Sequence, residues 1–147
     1  MSALKLTQAE AERLLTMLKR TLKEKVDFPT KGDSVEFDVV GDTNRDIFAI
    51  NMFRGKRNVQ KYNIGARIKK NGVLLLELHV NPGNVHINPN GEKILGSHWH
   101  IYSEKYGRRM AFPAKVEDDT FVETSIEFLK KFNVIERPDV RYQLELL

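Results

Sequence analysis

The chain has 147 residues, 41% hydrophobic and 30% charged, with 24 Lys and Arg, 20 Asp and Glu, and no cysteine. That length and mix fit one domain, 1–147, able to bury a core without staples, and the missing cysteine excludes a disulfide framework, a thiolate zinc site and a cysteine nucleophile. A net charge of +4 and a pI near 9.3 point only weakly to polyanionic partners. The opening Met1-Ser-Ala-Leu-Lys-Leu-Thr7 lacks the apolar core of a signal peptide, and no run reaches the ~18 apolar residues of a membrane helix. A cytoplasmic location with no membrane partner is expected.

Residues 7–26 are predicted to form a helix. Thr7-Gln-Ala-Glu10 is a capping box, and Ala11, Leu14, Leu15, Leu18 and Leu22 form one apolar stripe. Lys19, Arg20, Lys23 and Lys25 would serve the helix dipole, with phosphate contact as the alternative. Alternation then predicts strands over Ser34–Val40, Asp46–Arg54 and Val59–Lys69, with Val35, Phe37, Val39, Phe48, Ile50, Met52, Tyr62, Ile64, Ala66 and Ile68 inward.

Lys70-Asn71-Gly72 fits a three-residue hairpin loop with Gly72 left-handed. Ile64, Ala66 and Ile68 would then oppose Leu78, Leu76 and Leu74, core against core. A two-residue Pro82-Gly83 turn would set His79 opposite His86. Matching the next strand, His98–Tyr102, would pair His86 with His100 and Asn88 with His98. His79, His86 and His100 would make one row, with Glu77, Asn88 and His98 beside it and Trp99 behind in the core. Met110–Pro113 reads as a short edge strand, because proline cannot donate to a ladder. Thr120-Phe-Val-Glu123 caps a second helix that Asn133 stops, and Val140–Leu146 reads as a last strand. The expected fold is α+β: an antiparallel β-meander of about six strands with an N-terminal and a C-terminal helix packed on one face.

All four histidines lie between residues 79 and 100 and share one phase. Histidine can act as acid, base or metal ligand near neutral pH. One reading is a metal-independent ribonuclease or phosphodiesterase, with His86, His98, His100, Glu77 and Tyr102 as catalytic candidates. Lys61, Arg67, Lys69, Arg108 and Arg109 would hold RNA or another single strand, with Tyr62 and Tyr102 nearby for stacking. A second reading is a three-histidine metal site built on His98-x-His100 and His86. The plain alternative is a polar sheet face with no chemistry.

The run His86-Ile-Asn-Pro-Asn-Gly91-Glu-Lys-Ile94-Leu-Gly96-Ser-His98-Trp-His100-Ile-Tyr102 resembles the signature of a small uncharacterised bacterial and phage family, H-x-N-P-x-G-x-x-I-x-G-x-H-x-H-x-Y, followed by a Tyr-Gly and a Pro like Tyr106-Gly107 and Pro113. Ser97 stands where that signature has proline. The resemblance implies a bacterial or phage origin and stresses His86, His98 and His100; it supplies no reaction. The leading expectation is a nucleic-acid-binding or nucleic-acid-cleaving protein without a cofactor or bound metal. The competing classes are a non-enzymatic interaction factor, such as a phage inhibitor of a host defence system, and a histidine-ligated metalloenzyme. A homodimer formed through an edge strand is compatible with each.

Overall fold

The computed structural model describes residues 5–22, 25–57, 61–116, 121–136 and 139–142. The elements run α1 (Gln8–Thr16), β1 (Lys19–Thr21), β2 (Lys25–Phe28), β3 (Ser34–Val40), β4 (Ile47–Arg54), β5 (Tyr62–Ile68) and β6 (Leu74–Val80). They continue through β7 (Val85–Ile87), β8 (Lys93–Leu95), β9 (His98–Ile101), β10 (Ala111–Pro113), α2 (Phe121–Lys131), β11 (Val134–Glu136) and β12 (Asp139–Tyr142). The fold is α+β, with two helices and a large, mostly antiparallel sheet. Among the described residues that sheet has eight strands, ordered β10-β9-β6-β5-β4-β3-β1-β11, rather than about six. It is not a pure meander, because β1 and β11 pair in parallel, as do β2 and β12 in a separate two-stranded sheet.

The central strands follow the alternation of the sequence. Phe48, Ile50, Met52, Ile64, Ala66, Leu76 and Leu78 are all buried and belong to one cluster that also takes Ala11 and Leu14 from α1 and Phe128 and Leu129 from α2. Each such leucine or isoleucine contributes roughly 1.5–3 kcal/mol by leaving water. Ile64 opposes Leu78 and Ala66 opposes Leu76, as core-to-core pairing requires, and Gly72 is left-handed at φ 77°. One residue nearer the loop the register shifts: Arg67, not Ile68, faces Leu74, so Leu75 is the extra residue of a bulge. On its other edge Leu75 continues the register with β9, its carbonyl accepting the Tyr102 N–H at 2.9 Å.

The first helix is shorter than its apolar stripe. The capping box forms, with Thr7 Oγ1 accepting from Glu10 N at 3.1 Å and Glu10 Oε1 accepting from Thr7 N at 3.2 Å. The helix then stops at Thr16, and Leu18 and Leu22 are exposed rather than part of a buried stripe. Long-range partners end it. Lys19 Nζ, 1% exposed, donates to the carbonyls of Leu15 (3.3 Å), Met17 (2.8 Å) and Phe132 (2.8 Å) and lies 3.8 Å from the Phe132 ring centroid. Asn133, left-handed at φ 59°, ends α2 as expected and sends its side-chain amide to Thr16 O at 2.7 Å. One lysine and one asparagine therefore serve carbonyls at the C-terminal ends of both helices. Thr120 and residues 143–147, which complete the second predicted cap and the last predicted strand, lie outside the described residues.

The largest departure concerns the histidine strands. The predicted Pro82-Gly83 hairpin would pair β6 with β7, but the edge of β6 is taken by β9. β7 pairs instead with β8, as Val85↔Leu95, His86↔Ile94 and Ile87↔Lys93. This ribbon is an excursion between two neighbouring strands, closed at its base by Asn81 N to Ser97 Oγ (3.0 Å) and Gly96 N to Asn84 O (2.7 Å). The observed opposites are Glu77↔His100 and His79↔His98. The expected pairs His79–His86, His86–His100 and Asn88–His98 do not occur.

Candidate metal centre

Alternation along β6 and β9 places Glu77, His79, His98 and His100 on the sheet face away from Leu76, Leu78 and Trp99. Trp99 stacks on Phe128 with centroids 6.0 Å apart. His86 arrives by a different route: the ribbon turns His86 and the buried Ile94 inward and leaves Val85, Ile87 and Leu95 exposed. The imidazole centroids lie 4.9 Å apart for His98 and His100, 5.1 Å for His79 and His98, 5.0 Å for His79 and His100, and 4.9 Å for His86 and His100. His79, His98 and His100 each offer a ring nitrogen within 4.8 Å of the other two.

The ring tautomers follow from the hydrogen bonds, since a carbonyl can only accept. His98 Nδ1 donates to Gly96 O at 3.0 Å and His100 Nδ1 to Arg108 O at 2.6 Å. Their Nε2 lone pairs therefore remain for another partner. His86 Nε2 donates to Arg109 O at 3.1 Å, leaving Nδ1. His79 Nε2 lies 2.8 Å from Glu77 Oε1, a close contact without hydrogen-bond alignment. Ring N–H groups anchored on carbonyls or a carboxylate are the usual outer shell of metal-bound imidazoles.

The electrostatics disfavour the charged form of the two buried rings. Burial, then the neighbouring imidazoles, pulls His100 down to about 4 against the opposing Arg108 carbonyl. Burial likewise lowers His98, with the neighbouring His79 and His86 rings adding to it against the Gly96 carbonyl. Burial pushes the Glu77 carboxyl up, but His79, Arg108 and His100 outweigh it and hold the group below its ordinary value. Glu77 thus stays charged, in contact with His79 and with Arg108 Nη2 at 2.8 Å.

Asn88 locks the ribbon in place. Its side-chain amide donates to Ala111 O at 2.9 Å and accepts from Ala111 N at 2.7 Å, completing the outer edge of β10 as a strand peptide would. Replacing Asn88 with alanine leaves both backbone groups without that partner. We expect a cost of about 2 kcal/mol, read by hydrogen exchange as at least tenfold faster exchange of the Ala111 amide. Unchanged exchange would refute this role.

The other predicted site residues are scattered. Arg108 and Arg109 join His79, His86, His100, Ile87 and Pro89 around an open cleft of about 590 Å³. Arg67 is bound to Glu36 at 2.6 Å and Lys69 to Asp38, so two cations of the expected stripe already have carboxylate partners across the sheet. Lys61 lines a separate cavity of about 290 Å³ near His79 and Asn81. Tyr102 is buried, and its hydroxyl accepts from Leu6 N at 2.9 Å, outside the histidine cluster. Sequence reasoning missed Asn88 as a clamp and His79 as a member of the tight triad. The His79-x6-His86 spacing had suggested a cross-strand pair instead.

Residues 6–134 match the family model of a family of unknown function, DUF6978, a span that includes the whole histidine cluster. Searches of curated proteins and of solved structures returned no match. Among the described residues no helix is long and apolar enough to cross a membrane.

Proposed function

Since the chain belongs to the DUF6978 family of unknown function, we propose from its geometry that the histidine cluster is a divalent transition-metal centre that hydrolyses phosphate esters. The observation that carries this is the triad His79, His98 and His100, with ring nitrogens within 4.8 Å of one another. Two of its members have their Nδ1–H already committed to carbonyls. Neutral imidazoles are borderline ligands suited to zinc and its neighbours, and three of them leave a coordination position open. An ion bound there supplies a water polarised for attack on phosphorus. In the reaction water adds to phosphorus, one P–O ester bond breaks, and one proton of the water passes to the leaving oxygen.

The chain's own groups have definite parts. His79, His98 and His100 hold the ion. Glu77 contacts both His79 and Arg108, fixing a ligand and a cation together. Arg108 and Arg109, on the cleft wall, neutralise the phosphoryl oxygens. A base-and-acid pair of histidines without a metal fits less well, because burial disfavours the protonated imidazole that the acid must be and both Nδ1–H groups are engaged.

Chelator-stripped protein should hydrolyse bis(p-nitrophenyl) phosphate only after one equivalent of Zn(II), Co(II) or Mn(II) is restored. Absence of both metal uptake and turnover would overturn the proposal. It would favour a second reading, a non-enzymatic interaction factor, which draws on the exposed apolar Val85, Ile87 and Leu95 of the ribbon.

A further inference from the structure

The peptide that carries Arg108 and Arg109 is pinned to the histidine cluster. Its two carbonyls accept from His100 and His86. The turn before it is closed by Ser103 N to Gly107 O (3.0 Å) and Gly107 N to Ser103 O (2.7 Å), with Gly107 at φ 60°. The two arginines border two cavities at once. One is the cleft over the histidines. The other, also about 590 Å³, is walled by Lys5, Asn71, Tyr102, Lys105 and Tyr106. Four cations line this second cavity, Arg108 with its Nη2 on Glu77, against one lining carboxylate, Glu104, whose Oε1 accepts from Gln8 N at 2.9 Å. Lys105 Nζ lies 5.1 Å from the centroid of the half-exposed Tyr106 ring.

Each cavity falls within the roughly 300–1,000 Å³ of a small-molecule site, so together they exceed what one phosphate monoester needs. A cationic groove with an aromatic platform is how proteins hold an unpaired nucleic-acid strand without reading its sequence. We infer that the two cavities form one track for single-stranded nucleic acid, running from the histidine centre across Arg108 and Arg109 to Lys5, Lys105 and Tyr106. This inference rests on the proposed phosphoesterase reading for the cleavage of that strand. The binding itself does not depend on the metal.

The test uses the full chain loaded with zinc and fluorescein-labelled ten-nucleotide oligo-U and oligo-dT, followed by anisotropy over a salt series. Affinity should fall steeply with salt, as expected when cations displace counterions from phosphates. Lys105→Gln combined with Tyr106→Ala should weaken binding at least tenfold and flatten the salt slope by about one, with zinc stoichiometry unchanged as the control for folding. His98→Gln should lose zinc and hydrolysis yet bind either strand within threefold of the parent. If the groove variant binds as the parent does, or inorganic polyphosphate competes equally well with and without Tyr106, the track is wrong even if hydrolysis stands. If the parent binds strands but never cleaves them with any metal, the phosphoesterase reading fails and the track survives.

Discussion

Replacing His98 with alanine is expected to lower zinc affinity by more than about 100-fold, since outer-shell changes at such sites alone cost 10–100-fold. His98 is 1% exposed, its Nδ1 is held by Gly96 O, and its ring is central, lying near His79, His86 and His100. His86→Ala should cost less than about tenfold, because His86 lies outside the tight triad and its Nε2 is given to Arg109 O. Competition with a chromophoric chelator measures both. The metal should also stabilise the fold: at 100 times Kd the gain is about 2.7 kcal/mol by mass action, and His98→Ala should abolish the zinc-dependent rise in Tm. Equal zinc affinity in the parent and His98→Ala would remove the histidine triad as a metal site.

The second large effect is expected at Lys19. Its amine reaches three carbonyls at the ends of both helices, two buried and one part-buried, and even when neutral it keeps N–H donors for two of them. Lys19→Met keeps the stem and removes the donors, and should cost about 2–3 kcal/mol in urea denaturation at pH 9. The pH dependence has a definite sign. Burial pulls the Lys19 amine down to about 7 from its ordinary 10.5, with Asp42 opposing. Between those values the unfolded chain binds more protons than the folded one, so stability rises with pH, by at most about 1.4 kcal/mol per unit for one proton. Tyr62, pushed up to about 12 by burial, reverses the trend only above its unfolded value near 10. The parent should therefore gain stability from pH 7.5 to 9.5 while Lys19→Met does not, and the cost of the substitution should grow with pH. Parallel pH profiles for the two proteins would refute this account.

Val35, Phe37 and Val39 against Glu36 and Asp38, and Phe48, Ile50 and Met52, set the faces of β3 and β4 by a period-two pattern that any half-buried strand must keep. The Thr7–Glu10 cap, the left-handed Gly72 and the stop at Asn133 are equally local, each fixed by one residue's hydrogen-bonding or backbone preference. The placement of Glu77, His79, His98 and His100 on the polar face of their strands is of this kind too.

Parity assigns a side chain to a face; it does not choose the neighbouring strand. Whether β7 or β9 pairs with β6 is a competition between edges, decided by the whole sheet, and β9 holds it. His86 rejoins the cluster on a ribbon that Asn88 clamps to Ala111, 23 residues away, and that His86 itself ties to Arg109 O. Helix α1 likewise ends where Lys19 and Asn133 meet across 114 residues of chain, with Lys19 N donating to Asn133 O at 2.9 Å, and no glycine or proline marks the spot. By itself the sequence determined which residues of the central strands face the core, which face the polar side, and that His79, His98 and His100 share the latter. The tertiary structure alone decided which imidazoles converge, their tautomers, and which arginines stand beside them. Those depend on backbone carbonyls and strand edges that distant segments must first bring into place.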